Sequence, residues 1–173
     1  MAGFLSCTVN KIDRKDRLSV PAQIRIALGL MRPDGGAGGT SSSFICFPSL
    51  AGPWLQAVTP QQMQQFMALQ DPLAPFAGEI DALGIAFHAQ AVELAPDSDG
   101  RITLPAHLRS YANIDTEVMF VGQGTSFSMW NPDTFAEHSA ELRDQAREQF
   151  SELAARQARP QPVEPVLQEA QNG

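Results

Sequence analysis

The chain has 173 residues, a formal net charge of −7 and a hydrophobic content of 43%, which suits one compact domain or two small ones. No apolar run approaches the ~20 residues that a membrane-spanning helix needs, and the first residues do not resemble a secretory leader. Cys7 and Cys46 stand 39 positions apart without a CxxC spacing, so we expect reduced thiols in a cytoplasmic protein rather than a disulfide framework.

The charge is unevenly distributed along the chain. Residues 1–32 contain six Lys or Arg and two Asp, whereas residues 33–100 contain seven acidic residues and no Lys or Arg. Residues 101–173 contain six basic and ten acidic residues. A concentrated positive patch on an acidic body can still attract phosphate, because the field of exposed charges is screened within ~10 Å. The overall acidity therefore does not exclude a nucleic-acid partner.

Residues 13–25 read Asp-Arg-Lys-Asp-Arg-Leu-Ser-Val-Pro-Ala-Gln-Ile-Arg and predict a turn, a short strand and a short helix. The acidic residues at the start favour a turn. Leu18 and Val20 alternate with polar residues, so a strand would bury these two side chains. Pro21 suits the first helical position, and Gly29 suits a left-handed helix end.

Residues 97–109 repeat this motif without a gap, at an offset of 84 positions. Pro105 and Asn113 take the places of the proline and the helix-ending glycine, so the second copy predicts the same turn, strand and helix. The identical pairs are Asp13/Asp97, Arg17/Arg101, Pro21/Pro105, Ala22/Ala106 and Arg25/Arg109.

Each motif is followed by β-rich sequence and then by a helical pattern. Residues 44–47 align with residues 127–130 at an offset of 83, and residues 33–43 read as a flexible hairpin loop. In the second copy a strand over 118–121 precedes a tight turn at 122–125.

Helices are predicted over residues 60–69 and from 132 to about 158. Asn131 is a good N-cap residue for the last helix. An apolar stripe on that helix comprises Phe135, Leu142, Ala146 and Leu153. The tail from residue 160, rich in Pro and Gln, is expected to be disordered.

The motif D-x-x-x-R, followed by a strand and then Pro-Ala-x-hydrophobic-Arg, resembles the MraZ family when it occurs twice in this way. The resemblance covers roughly residues 4–140 and includes Trp54 as the aromatic residue that opens the middle helix. It implies a mainly β, α+β fold. In such a fold two AbrB-like swapped-hairpin motifs form a pseudo-symmetric, β-barrel-like domain with a C-terminal helix. The expected parts are a first repeat at 4–58, a helical connector at 59–91, a second repeat at 92–140, a helix extension at 141–159 and a tail at 160–173.

The resemblance also implies a function. Family members regulate the division and cell-wall gene cluster, bind direct repeats in double-stranded DNA of their own promoter and assemble as rings. The implied protein is a homo-oligomer, cytoplasmic and nucleoid-associated, with no cofactor, no membrane partner and no small-molecule substrate. Together with the basic cluster of the first copy, the resemblance nominates a set of DNA-binding residues: Lys11, Asp13, Arg14, Lys15, Arg17, Arg25, Asp97, Arg101 and Arg109.

Two departures bear on this hypothesis. Asp16 stands where the family has Gly, which places an extra negative charge beside the proposed reading head. The region of residues 75–91 lacks the Arg residues expected upstream of the second motif. Arg17 can either touch DNA or lock the hairpin through Asp13, and these two roles are compatible. For Arg101 a purely structural bridge is a stronger alternative, because acidic residues flank it.

Enzyme chemistry is not indicated. His88, His107 and His138 show no metal-ligand spacing, and the Gly-rich stretch at 35–39 lacks the Lys-Ser/Thr of a phosphate loop. Each turn Asp stands beside Arg, which suits an ionised carboxylate rather than a general acid. The rival hypothesis is an oligomeric scaffold or protein-interaction module with weak or lost DNA binding, and acidity and Asp16 favour that rival.

Overall fold

The computed structural model describes residues 3–30, 43–68 and 82–157. The loop predicted at 33–43 falls outside them apart from its last residue, and the tail from residue 160 falls outside them entirely. Within the described residues the chain forms eight strands: β1 (Cys7–Lys11), β2 (Arg17–Ser19), β3 (Phe44–Pro48), β4 (Leu55–Val58), β5 (Val92–Leu94), β6 (Arg101–Thr103), β7 (Glu117–Gly122) and β8 (Phe127–Trp130).

The helices of the described residues are mostly short. They are α1 (Ala22–Ala27), α2 (Pro60–Ala68), α3 (Ala82–Gly84, continued by a π-helical turn at Ile85–Ala89), α4 (Ala106–Tyr111) and α5 (Pro132–Gln157). The chain divides into two compact units, Met1–Ala136 and Glu137–Gly173. Within the described residues no helix is both long enough and apolar enough to cross a membrane.

Strands from the two repeats are interleaved in the sheet. Six strands are antiparallel neighbours in the order β1-β7-β8-β4-β3-β5, so β1 and β4 of the first repeat pair with β7 and β8 of the second. The remaining strands, β2 and β6, form a separate antiparallel ribbon. The predicted α+β class with two intertwined copies is confirmed. Among the described residues the six-stranded sheet is open and does not close into a barrel.

The core is formed by residues of the strands together with residues of the two motif helices, α1 and α4. Leu18, Val20 and Ile24 of the first motif are fully buried, and Ile102, Leu104 and Leu108 of the second occupy the equivalent positions. The predicted split between buried and exposed strand positions is thereby confirmed. Aromatic rings fill the centre, where Phe127 lies 5.2 Å from Phe4 and 5.1 Å from Phe44, measured between ring centroids.

Both motif helices end in the way the sequence predicts. Gly29 and Asn113 have φ angles of 75° and 52°, in the left-handed region. The next residue in each case, Leu30 or Ile114, donates its backbone N–H to the carbonyl five residues earlier, at 2.8 Å and 2.9 Å. These bonds satisfy carbonyls that the helix leaves without a partner. The matching helix ends fix the direction in which the chain leaves each motif.

Two predictions about local structure are wrong in detail. Trp54 does not open the middle helix; it precedes β4, and its ring stacks on that of Trp130 at a centroid distance of 4.0 Å. Stacking on Trp130 is favourable at this position because it buries two large rings between neighbouring strands. Pro21 and Pro105 precede the first helical residue, with ψ angles of 144° and 143°. Their carbonyls still accept the first helical bonds, from Arg25 and Arg109.

The C-terminal helix begins where expected. The Asn131 side chain accepts hydrogen bonds from the backbone N–H groups of Asp133 and Thr134, at 2.8 Å and 3.1 Å. Phe135 packs edge-on against Trp130 and anchors the first turn. Farther along the predicted apolar stripe, Leu142 and Leu153 are exposed.

Candidate nucleic-acid interface

The β2–β6 ribbon brings the two D-x-x-x-R motifs together. Leu18 and Ile102 are opposite each other and face the core, so the outward face carries the residues on either side of them. The register places Arg17 opposite Thr103 and Arg101 opposite Ser19. The two arginines are therefore diagonal neighbours, with backbones about 7–8 Å apart. The ribbon thus places on one exposed face two arginines that are 84 positions apart in the sequence.

Asp13 organises the first hairpin. Its Oδ1 accepts hydrogen bonds from the backbone N–H groups of Lys15, at 2.8 Å, and Arg17, at 2.9 Å. Its Oδ2 accepts from Nε of Arg17 at 2.9 Å and lies 2.8 Å from Nη2 of the same guanidinium. The backbone N–H of Arg17, followed by its side chain, lowers the pKa of Asp13 to about 2. Asp13 thus stabilises the turn through backbone N–H groups and fixes the orientation of the Arg17 side chain.

Asp97 repeats the backbone part of this arrangement in the second hairpin. Its Oδ1 accepts from the N–H groups of Asp99 and Arg101, both at 2.9 Å, and the Arg101 N–H is the main cause of a lowered pKa for Asp97. The guanidinium of Arg101 turns instead to Asp99, with Nη1 and Oδ2 separated by 2.9 Å. Of the acidic residues that flank Arg101 in the sequence, Asp99 is the one that forms the ion pair.

The tip of the first hairpin carries exposed positive charge. Arg14 and Lys15 are both exposed, and no carboxylate of the described residues forms an ion pair with either side chain. Lys11, at the end of β1, has an exposed side chain 3.7 Å from Glu117. The tip is therefore the part of the nominated set whose charge is least neutralised by the protein itself.

Arg25 and Arg109 belong to the helices and reach across the repeats. Arg109 of α4 contacts Asp16 of the first hairpin, with Nη1 and Oδ1 separated by 2.8 Å. Arg25 of α1 lies over Gly100 of the second hairpin, where an added Cβ would stand 2.7 Å from Cδ and Nη1 of the arginine. Each helix arginine thus packs on the hairpin of the other repeat. Asp16, the extra negative charge expected beside the proposed reading head, thus has a cation partner in Arg109.

Metal binding and thiol chemistry are not indicated by the described residues. Within the described residues no cluster of three or more His, Cys, Asp or Glu could hold a metal ion. Burial raises the pKa of the Cys46 thiol well above its ordinary value, which disfavours the reactive thiolate, and Cys7 is exposed. A cleft of about 540 Å³ between β4 and α2 is lined by apolar, amide and hydroxyl side chains, and none of its described lining residues is an acid or a base.

Comparison with known proteins decides the family. A family model described as "MraZ protein, putative antitoxin-like" matches residues 87–159. Transcriptional regulator MraZ of Rickettsia akari is 34% identical over 146 residues, which is 84% of this chain and 93% of the relative. The chain belongs to the MraZ family. Proteins of the same name from Parvibaculum lavamentivorans and Pelagibacter ubique are 36% identical over 147 residues and 34% identical over 143, each over 83% of this chain and over 84% and 87% of the relative.

The MraZ relationship confirms the resemblance inferred from the doubled motif. The relatives are named as transcriptional regulators and not as enzymes, which agrees with the prediction that this chain is not an enzyme.

The lowered pKa of Asp13 predicts a specific pH dependence of stability. Folding favours the ionised carboxylate, so its contribution is complete above the ordinary Asp pKa of about 4 and is lost as the pH falls to about 2. Replacing Asp13 by Asn should lower the urea midpoint at pH 7, and the difference from wild type should shrink between pH 4 and pH 2. Asp97→Asn should show a smaller difference, because the amide oxygen can still accept the backbone N–H bonds and Asp97 forms no direct bond to a guanidinium of the described residues. A difference for Asp13→Asn that is constant from pH 7 to pH 2 would contradict the assignment.

Proposed function

We propose that the chain is a sequence-specific DNA-binding transcriptional regulator that reads its operator with the β2–β6 ribbon and the tip of the first hairpin. The observation that carries this proposal is the placement of Arg17 and Arg101 on one exposed ribbon face, beside the exposed cations Arg14 and Lys15. The family resemblance supplies the biological setting: direct repeats in its own promoter, control of the division and cell-wall gene cluster, and a nucleoid-associated protein in the cytoplasm.

The geometry of the ribbon suits the major groove of B-DNA, which admits a two-stranded β-ribbon. Arg17 uses Nε and Nη2 for Asp13, and its Nη1 has no bond to a described residue. A guanidinium held in this way loses little side-chain entropy when it binds a guanine edge or a phosphate. Arg14 and Lys15 extend from the tip, where contacts with the phosphate backbone are expected. Asp13 is then a residue that orients Arg17 and does not itself touch DNA.

The net charge of −7 sets how binding is achieved. A single hairpin with a few cations binds weakly, because the acidic body repels phosphate outside the screened vicinity of the tip. A ring of subunits, as in the family, would present several hairpins to spaced repeats and gain affinity through effective concentration. Assembly into a ring is therefore part of the proposed function and not an independent feature.

A second candidate function is an oligomeric scaffold or interaction module without strong DNA binding. The pairing of Arg101 with Asp99 and of Arg109 with Asp16 favours it, because these cations are already neutralised. Binding to the chain's own upstream DNA, compared with a scrambled duplex at equal salt, separates the two functions. Weak or undetectable binding to both duplexes would favour the scaffold.

Arg17→Ala should weaken binding to the upstream repeats by about 5- to 100-fold, the range expected for the loss of one well-placed guanidinium. Arg101→Ala is the matched control at the equivalent position of the second repeat. Its loss of affinity should be smaller, because Asp99 holds the Arg101 side chain. Fluorescence anisotropy with a labelled duplex measures both, and circular dichroism confirms that the variants are folded. Wild-type affinity in folded Arg17→Ala would show that the ribbon is not the reading head.

Salt tests whether the contact is concentrated at the first hairpin. If each engaged subunit contacts ~2–4 phosphates, log K should fall with log[salt] at about −0.9 per phosphate. Arg14→Ala and Lys15→Ala should each reduce the steepness by up to about 0.9 per engaged subunit. Arg101→Ala should change it less. A flat salt dependence, or equal changes in all three variants, would contradict the charge distribution that supports the proposal.

Assembly predicts a particle much larger than the 18.7 kDa monomer. Light scattering coupled to size-exclusion chromatography at micromolar concentration measures the mass directly. The same measurement at high salt indicates whether assembly survives conditions that release DNA. A monomeric mass at micromolar concentration would remove the multivalent part of the proposed function while leaving the ribbon testable by itself.

A further inference from the structure

Arg109 has its side chain committed to the protein. Nη1 forms the ion pair with Oδ1 of Asp16 at 2.8 Å, and Nη2 donates to the backbone carbonyl of Asp115 at 2.7 Å. The Arg109 side chain is 22% exposed, whereas that of Asp16 is 69% exposed. The guanidinium is therefore held beneath the hairpin, and the carboxylate that it holds is at the surface.

Asp16 occupies a demanding place in the first hairpin. Its φ angle of 57° lies in the left-handed region, and it follows the exposed cations Arg14 and Lys15 directly. An isolated carboxylate at this tip would repel the phosphates that the cations attract. The guanidinium of Arg109 supplies the compensating charge from the other repeat.

The second hairpin is a natural comparison within the same molecule. Gly100 takes the place of Asp16, with a φ angle of 75°, and Arg25 takes the place of Arg109. Arg25 packs on Gly100, which has no carboxylate to offer, and its Nε is buried without a hydrogen-bond partner among the described residues. Each hairpin is thus contacted by an arginine from the helix of the other repeat. Only in the first hairpin, which has the basic tip, does that arginine form an ion pair with the described hairpin residue beneath it.

We infer that Arg109 is a positioning residue for DNA binding: it neutralises Asp16 and holds the first hairpin in place, and it does not contact DNA. This inference rests on the proposed function, and it revises the nomination of Arg109 as a DNA-contacting residue. The inference predicts that the effect of Arg109 on DNA affinity depends on Asp16, 93 positions away. Loss of Arg109 weakens binding because it leaves the Asp16 carboxylate unpaired.

A double-mutant cycle tests the dependence. Arg109→Gln, Asp16→Asn and the double variant are compared with wild type for affinity to the upstream duplex, for salt dependence and for thermal midpoint. Arg109→Gln should weaken binding by about two- to fivefold, the range that an exposed ion pair is worth. Adding Asp16→Asn should bring the affinity back to within about twofold of wild type, because no unpaired carboxylate remains. The slope against log[salt] should be the same in all four proteins, since no phosphate contact is lost.

Arg25→Gln, with and without Asp16→Asn, is the matched control. Arg25 is the equivalent arginine of the first repeat and packs on the second hairpin. Any change in affinity that Arg25→Gln causes should therefore not be reversed by Asp16→Asn. If Asp16→Asn restored the affinity of Arg25→Gln and of Arg109→Gln to the same extent, the effect would be one of net charge, and the inference would be overturned.

Two further results would overturn it. A slope reduced by about 0.9 per engaged subunit in Arg109→Gln, with no recovery in the double variant, would show that Arg109 contacts phosphate directly. A lowered thermal midpoint with unchanged affinity would show that the pair only stabilises the fold. Arg17→Ala, measured in parallel, keeps this test separate from the proposed function: if it binds as wild type, the ribbon assignment fails, and if it loses binding while the cycle shows no dependence, only the role of Arg109 fails.

Discussion

The antiparallel pairing of β2 with β6 is the interaction on which the candidate site depends. Each strand has three residues, too few to form a stable structure alone, and one side of each is committed to the core by Leu18 or Ile102. The partner strand satisfies the backbone groups and buries the apolar side chains. Because the pairing is antiparallel and centred on these two residues, Arg17 and Arg101 must lie on the opposite, exposed face. The buried apolar pair therefore determines where the guanidinium groups are.

What could be predicted from sequence follows how local each feature is. The turn–strand–helix order and the helix ends at Gly29 and Asn113 depend on residues within a few positions of each other, and they were correctly predicted. The Asp13–Arg17 pair spans four positions and was also anticipated. The Arg109–Asp16 pair spans 93 positions and needs the packing of α4 on the other repeat, which no local pattern encodes. The choice of Asp99 by Arg101 is local, but it depends on a side-chain rotamer that residue types alone do not determine.

The structure explains how an acidic chain keeps a positive tip. An ionised Asp13 in the turn would ordinarily attract the nearest cations, which are Arg14 and Lys15. Its oxygens are instead occupied by two backbone N–H groups and by the guanidinium of Arg17. Asp16, the other acid of this turn, is paired with a guanidinium from outside the hairpin. Both negative charges are thus satisfied without using the two cations at the tip, which stay exposed to solvent.

The two hairpins share one backbone arrangement and differ in charge. The bonds from Asp13 to the N–H groups two and four residues later are 2.8 Å and 2.9 Å, and the corresponding bonds from Asp97 are both 2.9 Å. Between the motif Asp and Arg, the first copy has Arg-Lys-Asp and the second has Ser-Asp-Gly, so the local charges are +1 and −1. Because the shape depends on the Asp and its backbone bonds, the intervening residues are free to differ without loss of the ribbon. In the proposed function, phosphate binding depends on those intervening residues, so the second copy can support the ribbon and contribute Arg101 while the first alone supplies a basic tip.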